Sequence, residues 1–338
     1  MNNIEYPYLV WILFFAVVLT ALAVDLLIVN RKSHAPTRRE TFSWATVWVS
    51  LAIGFGFFIF YHFGIDHAKL FFTGYLIELS LSVDNLFVFL LIFSYFKVPK
   101  ELQHRVLFWG IMGALVMRMA MIFAGAELVE RFHWIIFVFG AFLIYTGIKM
   151  LSGPDEDFDP RQGFLVKLIT RHIRISGEYD GDKFFTTKDG IRTGTLLLLV
   201  LITVEMTDLV FAVDSIPAIF GITTDRFIIY TSNVFAILGL RTFFFLLADL
   251  ADKFHYLKYG LAFILTFIGA KMLLPLAAEV LIAVAGYESD AAFFGFLRRF
   301  LAHEFDRDLI NISLSVVAMS ISISIVLSLL FPAKSRHQ

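Results

Sequence analysis

Runs of roughly 20 predominantly apolar residues recur from one end of this 338-residue chain to the other. That is more than a soluble core absorbs, and it is what a hydrocarbon layer about 30 Å thick demands of each helix that crosses it. The runs are Tyr8 to Val29, Ser43 to Phe63, Leu70 to Phe96, Val106 to Ala126, Trp134 to Met150, Thr195 to Phe220, Phe227 to Leu247, Leu257 to Ala278 and Leu309 to Phe331. They predict an all-α, polytopic membrane protein of nine transmembrane helices. Only 17% of residues are charged and 59% are hydrophobic, whereas soluble domains carry about 25% charge. The first run passes into Asp25, Arg31 and Lys32 without a small-residue cleavage site, which reads as a retained helix and not a cleaved signal peptide.

Basic residues in the connectors orient the chain. Arg31, Lys32, Arg38 and Arg39 follow the first span, Lys97, Lys100 and Arg105 follow the third, and Lys334 and Arg336 lie in the tail. All fall on one side of a nine-span protein, which makes that side cytoplasmic and places the N-terminus outside and the C-terminus inside. The expected organisation is 1–69, two N-terminal helices; 70–151, a three-helix unit; 152–194, a cytoplasmic linker with an acidic run and a surface helix around Val166 to Ile175; 195–278, a second three-helix unit; 279–308, an external polar segment with an interfacial helix; and 309–338, the last helix and tail.

The two three-helix units resemble one another. Glu78-Leu-Ser-Leu-Ser-Val-Asp84-Asn85 aligns with Asp208-Leu-Val-Phe-Ala-Val-Asp214-Ser215, Arg118 with Arg241, Phe132-His133 with Phe254-His255, and Gly147-Ile-Lys-Met-Leu151 with Gly269-Ala-Lys-Met-Leu273. Three spans are an odd number, so the second copy enters the membrane from the side opposite the first, an inverted repeat of the kind that builds sites near the midplane of secondary transporters.

Glu78, Asp84, Glu205, Asp208 and Asp214 lie inside the third and sixth spans. Each charge near the bilayer centre costs about 2.5 to 3.5 kcal/mol on insertion scales, so five carboxylates need partners. Arg118 and Arg241 neutralise two at most; a multivalent cation, protonation or both account for the rest. On continuous helices Glu78 and Asn85 share a face, as do Asp208 and Ser215, while Glu205 stacks three residues before Asp208. Pro217 interrupts the sixth span's hydrogen-bond ladder and offers a freed carbonyl as a further oxygen. The metal ligands expected are therefore Glu78, Asp84, Asn85, Glu205, Asp208, Asp214 and Ser215, supported by Arg118, Arg241, Pro217 and Asp25, the last near the cytoplasmic end of span one. Oxygen donors suit magnesium, calcium or manganese, and the residues do not separate these three. Metal loading displaces protons from such groups, which is the chemistry of an antiporter whose substrates are a divalent cation and protons. His62, His67, His133 and His255 sit near the membrane faces, and Lys149 and Lys271 are expected to reach interfaces. Gly54, Gly56, Gly110, Gly113, Gly140 and Gly147 permit close helix approach.

Other chemistries lack residues. The chain has no cysteine and a net charge of −1, which removes thiol redox and sulfur metal sites and gives no reason to expect a nucleic-acid partner. No phosphate-binding loop or nucleophile elbow is present, so neither an enzyme nor a permanently bound cofactor is expected.

At Glu78 to Asn85, at Glu205-Met-Thr-Asp208-Leu-Val-Phe-Ala-Val-Asp214-Ser-Ile-Pro217-Ala-Ile-Phe220, and at Asn233-Val-Phe-Ala-Ile-Leu-Gly-Leu-Arg241, the chain resembles the tellurium resistance protein C family of bacterial integral membrane proteins. Within that family it is most similar to the alkaline-pH-induced member, described both as a membrane redox modulator and as a manganese exporter. The resemblance implies a multi-pass protein of the bacterial inner membrane, a cation-exporter fold related to the lysine exporter superfamily, and manganese as the transported ion. Calcium or another divalent cation, or a non-transporting scaffold or stress-response modulator, are the alternatives.

Overall fold

The computed structural model describes residues 6–24, 38–152, 175–188, 191–248, 256–285 and 306–331. They form α1 (Tyr8–Val24), α2 (Arg38–Phe63), α3 (Ile65–Tyr95), α4 (Lys100–Arg131), α5 (Ile135–Ser152), the strands β1 (Phe185–Lys188) and β2 (Ile191–Gly194), then α6 (Leu196–Phe220), α7 (Arg226–Leu238), α8 (Leu240–Ala248), α9 (Leu257–Ala285) and α10 (Asp306–Leu330). Five of these helices, α2, α4, α6, α9 and α10, are long and apolar enough to cross a membrane, and α1, α5 and α7 are shorter apolar helices. Large apolar side chains on their outer faces, such as Leu9 and Leu19 on α1, Val116 and Phe123 on α4, and Met319, Ile323 and Leu330 on α10, are exposed. A surface of that kind is tolerable in lipid and not in water. The protein is an all-α, multi-pass integral membrane protein, with one short hairpin among the described residues.

Helix α3 runs through the centre, packed against α2, α6, α7, α8, α9 and α10. It starts five residues earlier than its hydropathy suggests, because the turn from α2 takes a single residue, Gly64, whose φ of 89° is a conformation open to glycine and strained for others. A phenylalanine cluster joins α1, α2, α3 and α7: the rings of Phe55 and Phe235 lie 4.8 Å apart, with Phe14, Phe71 and Phe227 around them.

The expected seventh span is two helices. Gly239 separates α7 from α8, and the Cβ of any other residue there would come within 2.7 Å of the Phe243 ring. Helix α9 runs through Pro275 and past the expected end at Ala278 to Ala285. Among the described residues, helices α5 and α9 form the most extensive pairing. A Cβ on Gly140 would meet the Gly269 carbonyl at 3.0 Å, and one on Gly147 would meet the Ala262 carbonyl at 2.8 Å. Contact of the earlier residue of α5 with the later one of α9, and the reverse, means that the two helices run antiparallel. Helix α10 is tied in by polar contacts, Lys69 Nζ to Asn311 Oδ1 at 2.6 Å and Lys271 Nζ to Ser313 Oγ at 3.1 Å. Lys271 therefore faces a neighbouring helix and does not reach for an interface; Lys149 is exposed.

The linker holds structure that was not expected. Strands β1 and β2 pair antiparallel, with Lys188 opposite Ile191. The hairpin leads into α6 through Thr195, whose hydroxyl donates to the Lys183 carbonyl at 2.7 Å and caps the Leu198 amide. Tyr179 donates to the Phe96 carbonyl at the end of α3, at 2.9 Å, and Arg105 at the start of α4 pairs with Asp182. The acidic run 155–159, residues 166–174 of the expected surface helix, the interfacial segment at 291–300 and His255 lie outside the described residues.

Candidate functional site: one arginine between two carboxylates

Arg118 projects from the middle of α4 into the bundle and is 1% exposed, as is Glu78, while Asp208 is 3% exposed. Its Nη2 donates to Asp208 Oδ1 at 3.0 Å and its Nε to Oδ2 at 3.2 Å, the two-pronged geometry that a guanidinium fork makes with a carboxylate. Its Nη1 pairs with Glu78 on α3. Arginine thus serves as a buried counterion and does not extend toward headgroups, and it joins acids that occupy corresponding positions in the two similar segments. Ser82, one turn after Glu78, directs its hydroxyl to Glu78 Oε1 at 3.4 Å; the four-residue spacing was the available clue. Thr207 instead donates to the Thr203 carbonyl of its own helix at 2.7 Å.

Glu205 precedes Asp208 by about one turn of α6. Its carboxylate occupies the space beside Gly113 of α4, where a Cβ would overlap it. Asn85 and Ser215 are buried on α3 and α6, about 10 Å of helix rise beyond Glu78 and Asp208. Pro217 lies inside α6 near its end, and its carbonyl accepts from the Gly221 amide at 3.0 Å. Among the described residues, Glu205 Oε2, Ser215 Oγ and Asn233 Nδ2 are buried without a hydrogen-bond partner. Asn233, on α7, was not singled out from the sequence as a site residue. Buried amides and hydroxyls in apolar surroundings ordinarily have partners, so these atoms hold hydrogen-bonding capacity that the surrounding side chains leave unused.

Among the described residues, no three of His, Cys, Asp and Glu lie close enough together to hold a metal ion. Glu78 and Asp208 are committed to Arg118 here. Asp25 and the side chains of Asp84, Asp214 and Arg241 lie outside the described residues.

A second polar cluster sits where α1, α3 and α7 begin. Asp225 caps α7, its Oδ1 accepting from the amides of Phe227 at 2.9 Å and Ile228 at 3.2 Å. Its Oδ2 accepts from the Tyr6 hydroxyl and lies 3.9 Å from His67 Nε2. Burial, then the hydrogen bond and charge of Asp225, push the Tyr6 hydroxyl well above its ordinary pKa. Tyr6, Asp225 and Phe227 border a cavity of about 370 Å³ that Glu130, His133 and Arg226 also line. Arg226 pairs there with Glu130. On the opposite face burial raises the Tyr179 hydroxyl to about 12.

The integral membrane protein TerC family model matches residues 63–335. An uncharacterized membrane protein of Myxococcus xanthus is 50% identical over 262 residues, 78% of this chain and 82% of the relative. Alx of Escherichia coli K12, provisionally named a membrane-bound redox modulator, is 47% identical over 294 residues, 84% of this chain and 91% of its own length. The protein of the same name from Salmonella typhi is 45% identical over the same length. No solved structure matches. With most of its length covered both by the family model and by these relatives, the chain belongs to the TerC family of integral membrane proteins.

Proposed function

We propose that the protein moves a divalent metal cation out of the cytoplasm, manganese first among the candidates, in exchange for protons. The observation that carries this reading is the burial of two carboxylates, Glu78 and Asp208, from corresponding positions of similar segments, joined at one arginine inside an apolar bundle. Acids kept in such surroundings are expensive, and in membrane proteins they mark ion and proton pathways. Asp84, Asn85, Glu205, Asp214 and Ser215 complete the oxygen-rich set that the cation is proposed to use as it passes.

The inverted repeat is part of the same reading. The reciprocal, antiparallel contacts of α5 with α9 support it, because by the sequence correspondence Gly140 matches Ala262 and Gly147 matches Gly269, so each contact is the other's mate under a two-fold rotation. So does the pairing of α3 with α7 alongside that of α6 with α4. Nine spans and an N-terminus outside belong to the same reading, on the strength of the apolar runs and the basic connectors.

A second reading takes the relatives' name at its word and makes the protein a membrane-bound modulator of redox or other stress, with no transport of its own. The name favours it; the absence of cysteine from the chain leaves thiol exchange without a residue. Proteoliposomes loaded with a metal-sensitive dye separate the two. Saturable manganese flux that Asp208→Asn abolishes supports transport, and competition by calcium or magnesium ranks the ions. Absence of flux for every divalent cation, with full stress protection in cells by Asp208→Asn, would leave the modulator reading standing.

A further inference from the structure

We propose that Arg118 is an internal counter-cation that competes with the transported divalent ion for Glu78 and Asp208, and that Glu205 receives its guanidinium when the ion displaces it. The inference rests on the transport reading above and specifies how the site empties and fills.

Charge requires an exchange of this kind. Glu78, Asp208 and Arg118 together carry −1 when ionised. A divalent cation inserted between the two acids with the guanidinium still in place would bring two centres of positive charge into contact in a region shielded from water, where such repulsion is strongest. Arg118 also occupies a face of each acid: Asp208 accepts at both oxygens, at 3.0 and 3.2 Å, and Glu78 Oε1 is ion-paired with Nη1 and accepts from Ser82. A metal that draws oxygens from both carboxylates at once meets the guanidinium at each of them.

The structure holds a place for it to go. Glu205 lies on the same helix as Asp208 and about one turn away, which puts the two carboxylates on a common side of α6. It is half-buried, and among the described residues its buried Oε2 has no partner. It rests against Gly113 on α4, the helix that carries Arg118. Long helical side chains lean toward the N-terminus of their helix, which on α4 is the direction of Gly113. Glycine there leaves room that a Cβ would fill. With the guanidinium on Glu205, the four groups sum to −2, the charge a divalent ion at Glu78 and Asp208 neutralises.

Full-length protein in lipid nanodiscs, titrated calorimetrically with manganese chloride, tests this beside flux in proteoliposomes. Removing the competitor in Arg118→Gln is expected to tighten manganese binding by about tenfold or more, a change of about 1.4 kcal/mol, while flux falls because nothing displaces the ion. Glu205→Gln, with no acceptor for the displaced guanidinium, is expected to weaken binding by a similar factor. A purely structural arginine gives the opposite sign in the first variant, weaker binding together with weaker flux, and that result overturns the proposal, as does unchanged affinity. Unaltered protein supplies a readout independent of variant folding. Manganese binding is expected to shift the arginine guanidinium bands of its infrared difference spectrum along with the carboxylate bands, and carboxylate changes alone overturn the exchange. Absence of any divalent binding to unaltered protein sinks the transport reading and this inference together, whereas binding that ignores Arg118 sinks only the latter.

Discussion

Replacing Gly269 by alanine places a methyl group where the α9 backbone lies close against α5. Its carbon would lie 2.5 Å from the Gly140 carbonyl oxygen, 2.9 Å from Ile144 Cγ1 and 3.0 Å from the Ile144 amide nitrogen. Two of those three atoms are backbone, so no rotamer change relieves the contact. To regain an ordinary separation of about 3.4 Å, the helices must part by about 0.9 Å at this point. Helix association in lipid rests on close packing without a hydrophobic drive between helices, so separation is felt directly. Overpacking of this kind costs about 1 to 3 kcal/mol, reduced by the alanine's better helix propensity of at most about 1 kcal/mol. Gly54→Ala is the matched control, since a Cβ there meets nothing within 4 Å and the propensity gain alone should leave it neutral or more stable. Unfolding in mild detergent, followed by tryptophan fluorescence, compares them. Equal midpoints for the two variants would refute the close crossing.

Arg118→Met leaves Glu78 and Asp208 buried without their shared counterion and is expected to lower stability by about 3 to 5 kcal/mol, while a triple variant that also carries Glu78→Gln and Asp208→Asn recovers much of the loss; urea titration in mixed micelles measures both. Tyr179→Phe removes the donor to the Phe96 carbonyl. Because the folded pKa is raised from 10.0 to about 12, the tyrosine's contribution is complete below pH 10 and is lost as pH climbs from 10 toward 12; melting curves across that window should fall more steeply for the unaltered protein than for the variant. Asp225→Ala uncaps α7 and releases the Tyr6 hydroxyl, an expected loss of about 1 to 2 kcal/mol, with faster hydrogen exchange at Phe227 and Ile228 as its local signature.

Much of this architecture was written in patterns that one residue type dominates. Apolar runs locate the helices, and the repeated acids locate the membrane-embedded charges; the sequence marks Glu78, Asp208 and Arg118 and implies that the acids converge, but not that one arginine joins the two. What escaped was local chemistry inside a uniform background. The break at Gly239 is flanked by apolar residues on both sides, so hydropathy runs through it unchanged. The hairpin had a sequence signature, Asp189-Gly190 between Phe185-Thr-Thr-Lys188 and Ile191-Arg-Thr-Gly194, a turn dipeptide flanked by β-branched residues. The polar composition of the surrounding linker hid it. The joining of Glu78 to Asp208 through Arg118 depends on which faces of α3, α4 and α6 meet, information that helix periodicity within one element does not contain. Tyr6 and Asp225 are 219 residues apart, and nothing local to either announces the other.

The placement of apolar residues explains why the ion pair and the cavity at the start of α7 are separate. Passing along α4 from Arg118 toward Glu130 one meets Ile122, Ala126 and Val129, and along α6 from Asp208 one meets Ala212, Ile216, Ile219 and Phe220; with Ile229 of α7 these form a buried cluster of their own. From Arg118 to Glu130 is about 18 Å of helix rise. The cavity is bordered at its base by Ala126, Val129 and Phe220 from that cluster. Hydrated charge does not cross such a layer unaided, so a path from the cavity to Arg118 requires α4 and α6 to part. Those are the two helices that the bidentate Arg118–Asp208 contact fastens together. The Arg118–Asp208 contact therefore fastens together the two helices that carry most of this apolar layer.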